Sequence, residues 1–220
     1  MTKRGFGNGT ALFCVKIASI DTRKRRSTMM FPLNPTTRRD DRLTDDEFYA
    51  FCQANPSLRS EREADGQIIF EMPTNTKTGL KNADLIIEIG MWNRKAKLGL
   101  VADSSAGFTL PDTSVRAPDV SWISHERWEA LSEKDQDKFA KICPDFVIEL
   151  MNDSDEKYTL PTKVEKYLQN GVRLGWVIDP FTQQTTIYRP DREPEIKTFA
   201  DELSGDDVLS GFIVRLSDLL

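Results

Sequence analysis

The spacing of apolar residues predicts two helices, and a capping motif predicts a third. Apolar positions recur at helical spacing from Leu80 to Leu98 and again from Leu160 to Asn170. Thr44 and Glu47 match a capping box, so a further helix is expected to start there and to run to about Ala54. Shorter helical pieces are expected near residues 124–128 and 133–141. The predicted helices are therefore distributed along the chain from about residue 43 onwards.

Runs of alternating or continuous apolar residues predict strands between these helices. The predicted strands are Arg59–Glu63 and Gln67–Met72 around an Asp65-Gly66 turn, then Gly99–Ala102, Gly107–Leu110, Val115–Trp122, Phe146–Met151, Leu174–Ile178, Thr185–Arg189 and Glu195–Phe199. Pro73–Gly79 is interpreted as a polar loop, and the apolar residues of 208–219 are expected to pack against the domain at its end.

Two of these strands carry carboxylates where apolar residues are expected. Glu149 interrupts the near-continuous apolar run Phe146–Met151, and Asp119 follows a proline in a strand-like run. Burying an ionised carboxylate costs several kcal/mol or more unless it is paired or binds a metal ion. Lys163, in the first turns of the following helix, is placed near the end of the Glu149 strand. Two acids and one lysine in a compact group would suit a hard divalent cation.

Several motifs in these elements resemble the Uma-two family of restriction-endonuclease-like proteins, which is similar to the PD-(D/E)XK nuclease superfamily. In chain order the motifs are Glu63 before the Asp65-Gly66 turn, Arg116–Val120, Pro144–Glu149, Lys163 with Tyr167, Gly171-Val172 and Trp176–Pro180. The family's lysine lies on the helix after the second acidic strand, and Lys163 has that place here. The resemblance extends from about Leu43 to the C-terminus.

The resemblance implies both a fold and an activity. The implied fold is α/β, a restriction-endonuclease-like core in which a mixed β-sheet is flanked by helices in the order αβββαβ, with extra C-terminal strands. The implied activity is that of a metal-dependent endonuclease that hydrolyses phosphodiester bonds of DNA. Because related nucleases cut two strands, a homodimer is expected.

The resemblance also implies roles for particular residues. Asp119, Glu149 and the backbone carbonyl of Leu150 are expected to hold Mg²⁺ or Mn²⁺. Lys163 is expected to orient or deprotonate the attacking water, or to stabilise negative charge at phosphorus. Glu63 is expected to join the site, where it would hold a second metal ion or steer Lys163. The alternative for Glu63 is an ordinary solvated carboxylate beside a turn. Tyr167 either positions these groups or packs in the core.

Three alternatives to this hypothesis stay open. The acids can be explained as strand-end ion pairs, for example one between Asp119 and Lys163, since structural ion pairs are common. The fold can serve as a catalytically silent binding module that lacks metal affinity. A metal-dependent hydrolase of another phosphate ester is the third alternative.

Composition and charge limit these choices. A chain of 220 residues with 39% hydrophobic and 30% charged residues is typical of a soluble globular protein with one sizeable domain. No apolar run approaches the roughly 20 residues that a membrane helix needs. The net charge is −5, but residues 1–42 carry +7 and the remainder carries −12. The main domain is therefore acidic, which weakens the electrostatic argument for DNA as its substrate.

The first 42 residues are predicted to be a basic extension of the nuclease-like domain at 43–220. Their basic cluster Arg23–Arg26 is compatible with a nucleic-acid or targeting arm. A poorly ordered tail, or an extension upstream of a natural start at Met29 or Met30, is the alternative. Three cysteines without metal-ligand spacing argue against a disulfide framework and favour a reducing cytoplasm.

Overall fold

A computed structural model describes residues 42–71, 73–152 and 159–220. The predicted basic extension lies outside the described residues except for Arg42. The described elements confirm the α/β class expected from the sequence.

Five α-helices and one short 3₁₀ turn are present in the described ranges. They are α1 Asp45–Ala54, α2 Thr76–Ala96, α3 His125–Glu129, α4 Glu133–Gln136, α5 Thr159–Gln169 and the 3₁₀ turn Leu216–Asp218. The predicted capping box is present, because the Thr44 hydroxyl accepts from the Glu47 N–H while the Glu47 carboxylate accepts from the Thr44 N–H.

Helix α2 starts earlier than its apolar spacing predicted. The Asn75 side chain accepts a hydrogen bond from the Thr78 N–H at 3.0 Å, so the helix begins at Thr76. The prediction of a polar loop through Pro73–Gly79 was therefore wrong at its C-terminal half. This cap satisfies a first-turn N–H, and Gly79 is accommodated inside the helix although glycine costs about 1 kcal/mol there.

Twelve strands are described. They are β1 Arg59–Arg62, β2 Ile68–Glu71, β3 Gly99–Asp103, β4 Phe108–Thr109, β5 Val115–Arg116, β6 Val120–Ser124, β7 Phe146–Leu150, β8 Leu174–Asp179, β9 Gln184–Tyr188, β10 Glu195–Thr198, β11 Glu202–Ser204 and β12 Ile213–Arg215. They form a six-stranded sheet in the order β10-β9-β8-β7-β6-β3, a four-stranded sheet in the order β2-β1-β5-β4, and the two-stranded β11-β12 hairpin. The mixed sheet with extra C-terminal strands is confirmed.

One pair of strands in the six-stranded sheet is parallel. β7 and β8 run side by side from the Phe146–Leu174 pair to the Leu150–Ile178 pair, and α5 connects them as the crossover helix. The other pairs of this sheet are antiparallel. Helix α5 therefore lies against the strand that carries Glu149.

The strand predicted over Val115–Trp122 is two strands that belong to different sheets. β5 ends at Arg116 in the four-stranded sheet, and β6 begins at Val120 in the six-stranded sheet. Val120 pairs with Ile148, so continuing that register would place Pro118 opposite Leu150. Proline has no N–H to give to the ladder, which explains why the pairing stops there. Asp119 thus lies where the chain crosses between sheets.

The two faces of the six-stranded sheet bury different partners. Alternation along β7 directs Val147 toward a core that contains Leu160, Val164 and Tyr167 of α5. Phe146 and Ile148 face the opposite core, which is completed by α2 and the C-terminal segment. Glu149 has the same parity as Val147, so its side chain is directed toward α5.

Candidate active site

Glu149 is a carboxylate buried inside the protein. It is 2% exposed and is the fourth residue of β7, where every residue from Phe146 to Leu150 is buried. The β7 backbone is fixed on one side by the parallel pairing with β8. A charged group in such a position requires partners, and α5 supplies two of them.

Lys163 is the first partner of Glu149. Its Nζ lies 3.0 Å from Oε1 and 3.1 Å from Oε2 of Glu149, so the ammonium contacts both carboxylate oxygens. Nζ also lies 3.0 Å from Oε1 of Glu61 and 3.4 Å from Oε1 of Glu71. One ammonium therefore joins carboxylates from β1, β2 and β7.

Tyr167 is the second partner of Glu149. It follows Lys163 by four residues on α5 and therefore lies on the same helix face. Its hydroxyl donates to Oε1 of Glu149 at 3.2 Å, and its ring is fully buried. The hydrogen bond and the packing described as alternatives for Tyr167 are thus both present.

Gly175 allows α5 to approach the sheet closely. A Cβ atom at this position of β8 would lie 2.6 Å from Cγ1 of Val164, which is closer than side chains pack. Val164 is fully buried and faces Gly175. The glycine therefore sets the distance at which Lys163 and Tyr167 reach Glu149.

Asp119 is held beside Glu149 by the backbone of β7. Its Oδ2 accepts a hydrogen bond from the Leu150 N–H at 2.8 Å. This contact lies just beyond the Val120–Ile148 pair, where the pairing of β6 with β7 stops at Pro118. The residue after Glu149 thus carries the contact to Asp119. The structure brings Asp119, Glu149, Leu150 and Lys163 together, and their roles in metal binding and catalysis stay predictions.

Glu61 and Glu71 belong to this group and were not among the residues predicted from the sequence. Glu61 is 3% exposed, and its Oε1 also accepts from the Ala117 N–H at 2.8 Å. Glu71 also lies 3.5 Å from Arg59. The sequence did offer one indication for Glu61. It is two residues from Glu63 in the same predicted strand, so both side chains point to the same face of the sheet, and Glu61 lies farther from the turn.

Glu63 lies at the edge of the group. Its carboxylate binds Nζ of Lys166 at 2.8 Å and also the guanidinium of Arg116, which bridges it to Glu61. The contacts described for Glu63 therefore run to these two cations, and Glu61 holds the place beside Lys163 that was expected for Glu63. A role for Glu63 in holding a metal ion stays a prediction.

Burial and the neighbouring charges shift the pKa values of the residues in this group. Burial raises the pKa of Glu149 well above its usual value, and the negative charges of Asp119 and Glu61 add to this although Lys163 opposes it. Burial likewise raises the pKa of the half-buried Glu71. For Lys163, burial disfavours the ammonium, but the neighbouring carboxylates outweigh it and raise its pKa well above the usual value.

These shifts bear on the role of Lys163. A lysine with a raised pKa stays an ammonium at neutral pH and therefore does not accept a proton from water. It can donate hydrogen bonds and stabilise negative charge. Of the roles considered for Lys163, the geometry thus favours orientation and charge stabilisation over proton removal.

The oxygen donors in this group fit a hard divalent cation. Asp119 and Glu149 present carboxylates at adjacent strand positions, linked through the Leu150 N–H. Within the described ranges, no three side chains of His, Cys, Asp or Glu are arranged as a metal-binding set. Mg²⁺ commonly takes one or two carboxylates and keeps several waters, so two carboxylates and the Leu150 carbonyl form an adequate donor set.

Comparison with known proteins identifies the family of this chain. The model of the Uma2 family, described as "Putative restriction endonuclease", matches residues 45–217. The chain belongs to the Uma2 family. The resemblance drawn from the Asp119, Glu149 and Lys163 motifs is therefore confirmed.

A solved structure shares the fold of this Uma2 protein. It is described as "a putative nuclease belonging to DUF820 from Anabaena variabilis", and it superposes with a TM-score of 0.69 at 22% sequence identity. The match covers 80% of the present chain and 97% of the other chain. No curated protein matches the chain. None of the helices within the described residues has the length and apolar character needed to cross a membrane.

Proposed function

We propose that this Uma2 protein is a metal-dependent endonuclease that hydrolyses phosphodiester bonds of DNA. The observation that carries the proposal is the buried Glu149, which contacts a helix-borne lysine and lies beside Asp119. A purely structural carboxylate would not need to share one lysine with Glu61 and Glu71. The family description supports the same reaction class.

The residues have separate tasks in the proposed reaction. Asp119, Glu149 and the Leu150 carbonyl would hold Mg²⁺ or Mn²⁺, which supplies a Lewis acid for the scissile phosphate and favours ionisation of water. Lys163 donates hydrogen bonds to the phosphate or to the attacking water and stabilises the developing negative charge. Tyr167 fixes the Glu149 carboxylate through its hydroxyl.

The burial of the group supports this assignment. Lys163 is 12% exposed and Glu149 is 3% exposed as side chains, so their interactions are screened less than those of surface charges. Charge stabilisation is worth more in a site that excludes water than on a solvated surface. A phosphate that enters beside Lys163 would therefore meet a cation whose charge solvent screens only weakly.

A phosphate ester other than DNA is the second candidate substrate. The observation that favours it is the net charge of −12 outside residues 1–42, which repels a polyanion. Small phosphate esters carry fewer charges and suffer less from this repulsion. Homodimerisation and a cytoplasmic location stay predictions, and light scattering of the purified protein would test the first.

Metal titration and DNA cleavage test the proposal together. The purified protein, Glu149→Gln and a control Glu165→Gln are titrated with Mn²⁺ by calorimetry and then incubated with plasmid DNA and Mg²⁺. Glu165 is an exposed glutamate on the same helix, so its variant is a matched loss of one carboxylate. We expect the wild type and Glu165→Gln to bind Mn²⁺ and nick the plasmid, and Glu149→Gln to do neither.

Other outcomes separate the alternatives. Hydrolysis of nucleotides or small phosphodiesters without plasmid cleavage would support the second substrate class. Metal binding without any hydrolysis would contradict the enzymatic proposal. Absence of binding at millimolar Mn²⁺ would support the silent module, with the acids serving as structural ion-pair partners.

A further inference from the structure

The Glu149 carboxylate has no oxygen left without a donor. Nζ of Lys163 contacts Oε1 at 3.0 Å and Oε2 at 3.1 Å, and the Tyr167 hydroxyl donates to Oε1 at 3.2 Å. A cation that binds at Glu149 needs one of these oxygens as a ligand. The ammonium of Lys163 therefore lies where a cation bound by Glu149 would be.

The ammonium itself is also fully engaged. A lysine has three N–H donors and no acceptor, and Lys163 meets carboxylates of Glu149, Glu61 and Glu71 at 3.0, 3.0 and 3.4 Å. Three donors facing three carboxylates leave none for a phosphate or a water molecule. The lysine must release one carboxylate before it can act on a substrate.

We infer that Lys163 is a built-in competitor for the divalent cation, because its ammonium occupies Glu149 and must withdraw before Glu149 can bind a metal ion. The inference rests on the proposed function, since it concerns the same site. Glu61 and Glu71 belong to β1 and β2 of the other sheet, so they offer Lys163 partners that are not part of β7. Lys163 keeps these two partners when it gives up Glu149.

The surrounding charges favour this exchange. The hydrogen bond from the Leu150 N–H holds the Asp119 carboxylate close to Glu149. The two carboxylates therefore repel each other until a cation binds between them. A single ammonium contacts Glu149 directly but carries only one charge. Two cations on one carboxylate repel each other, which is why the lysine moves to Glu61 and Glu71.

Metal affinity without DNA is the first test. Mn²⁺ is titrated by calorimetry into the wild type, Lys163→Met and the control Lys141→Met, whose lysine is largely exposed and lies on a different segment. We expect Lys163→Met to bind Mn²⁺ at least about tenfold more tightly than the wild type while losing plasmid cleavage. Lys141→Met should match the wild type in both measurements. Equal or weaker Mn²⁺ binding by folded Lys163→Met overturns the inference.

Lysine labelling of the wild type is the second test and does not depend on the folding of any variant. The protein is treated briefly with acetic anhydride with and without saturating Mn²⁺, and peptides are quantified by mass spectrometry. We expect labelling of Lys163 to rise severalfold with Mn²⁺ while labelling of Lys166, which is paired with Glu63, stays constant. Unchanged or reduced labelling of Lys163 overturns the inference.

These results are separable from those on the proposed function. A wild type that cleaves DNA, together with a Lys163→Met variant of unchanged Mn²⁺ affinity, overturns the inference and leaves the nuclease proposal intact. Tighter Mn²⁺ binding by Lys163→Met in a protein that cleaves no DNA supports the inference and contradicts the nuclease proposal. Absence of Mn²⁺ binding in both proteins overturns the two together.

Discussion

Asp145 and Glu149 are two buried carboxylates four residues apart, and their surroundings differ. Asp145 is fully buried just before β7, and its Oδ2 accepts from the Ser124 N–H at 2.9 Å. Arg127 lies 2.9 Å from Oδ1, without hydrogen-bond geometry, and Arg173 lies 3.9 Å away. Both arginines are partly exposed, whereas of the partners of Glu149 the Lys163 side chain is 12% exposed and Tyr167 is fully buried.

The difference shows what separates a structural acid from a candidate functional one. Two arginines and a backbone donor surround Asp145, of which Arg127 is the nearer cation and Arg173 also pairs with Asp207 at 2.7 Å. Glu149 shares one ammonium with Glu61 and Glu71 and has Asp119 close by. Burial of a carboxylate is therefore weak evidence for a site, and competition among carboxylates for one cation is stronger evidence.

The largest expected effect is on catalysis. Glu149→Gln should lower plasmid cleavage by about 10³-fold, since a metal ion supplies several kcal/mol of transition-state stabilisation. Asp145→Asn should keep the wild-type rate when the rate is divided by the folded fraction measured by circular dichroism. Comparable losses in the two variants would remove the distinction between the two acids.

The next effect is on stability. Asp145→Asn should lower the free energy of unfolding by about 2 kcal/mol, because the Ser124 N–H loses a charged acceptor and Arg127 loses its buried counter-ion. Urea denaturation monitored by fluorescence measures this. Asp179→Asn, at the partly exposed end of β8, is not expected to be as costly, and a loss as large as that of Asp145→Asn would argue against the role of burial.

Tyr167→Phe should have a smaller effect on the site. The variant keeps the buried ring and removes the hydroxyl that donates to Glu149, which is worth about 1.5 kcal/mol for a charged acceptor. Because Oε1 then has Lys163 as its remaining described donor, Mn²⁺ affinity and cleavage should change by about tenfold or less. Calorimetry and plasmid assays measure both. Unchanged Mn²⁺ affinity, together with an unchanged dependence of plasmid cleavage on pH, would assign Tyr167 to packing alone.

The smallest effect is a dependence of stability on pH. Burial raises the pKa of Glu149 above its usual 4.5, so the folded state holds this proton to higher pH than the unfolded state. Unfolding free energy therefore falls as pH rises through that interval, and Glu149→Gln removes this loss. Urea denaturation at about pH 5 and about pH 8 should show that the unfolding free energy of the variant, relative to that of the wild type, is higher at pH 8 than at pH 5. Glu165→Gln should show no such gain.

Local sequence pattern was sufficient for much of the fold and for the acids of β6 and β7. Glu149 stands out because a single charge interrupts a buried strand, and Lys163 follows from the helix after that strand. Glu61 and Glu71 do not stand out, because Glu61 lies in the wholly polar strand Arg59–Arg62 and Glu71 ends the strand Ile68–Glu71, so neither interrupts an apolar run. Their place depends on how the four-stranded sheet meets α5, which is tertiary information.

Two errors have local physical causes. The Asn75 side chain starts α2 earlier than the apolar spacing indicates. Pro118 divides the run Val115–Trp122, which looks continuous by composition. Its missing N–H ends the pairing of β6 with β7, and the Asp119 side chain then accepts from the Leu150 N–H of β7. Single side-chain hydrogen bonds of this kind are invisible to periodicity.

The crossing at Ala117–Asp119 has a consequence for the order in which the protein folds. Glu61 and Glu71 are separated from Lys163 by about a hundred residues of chain, so their contacts have a high loop-closure cost and form late. Because parts of a protein open with different free energies, we expect the four-stranded sheet to be able to open while the six-stranded sheet stays intact. In such a partly open chain Asp119 and Glu149 stay close to each other, whereas Lys163 has lost the two carboxylates that hold it on the other side.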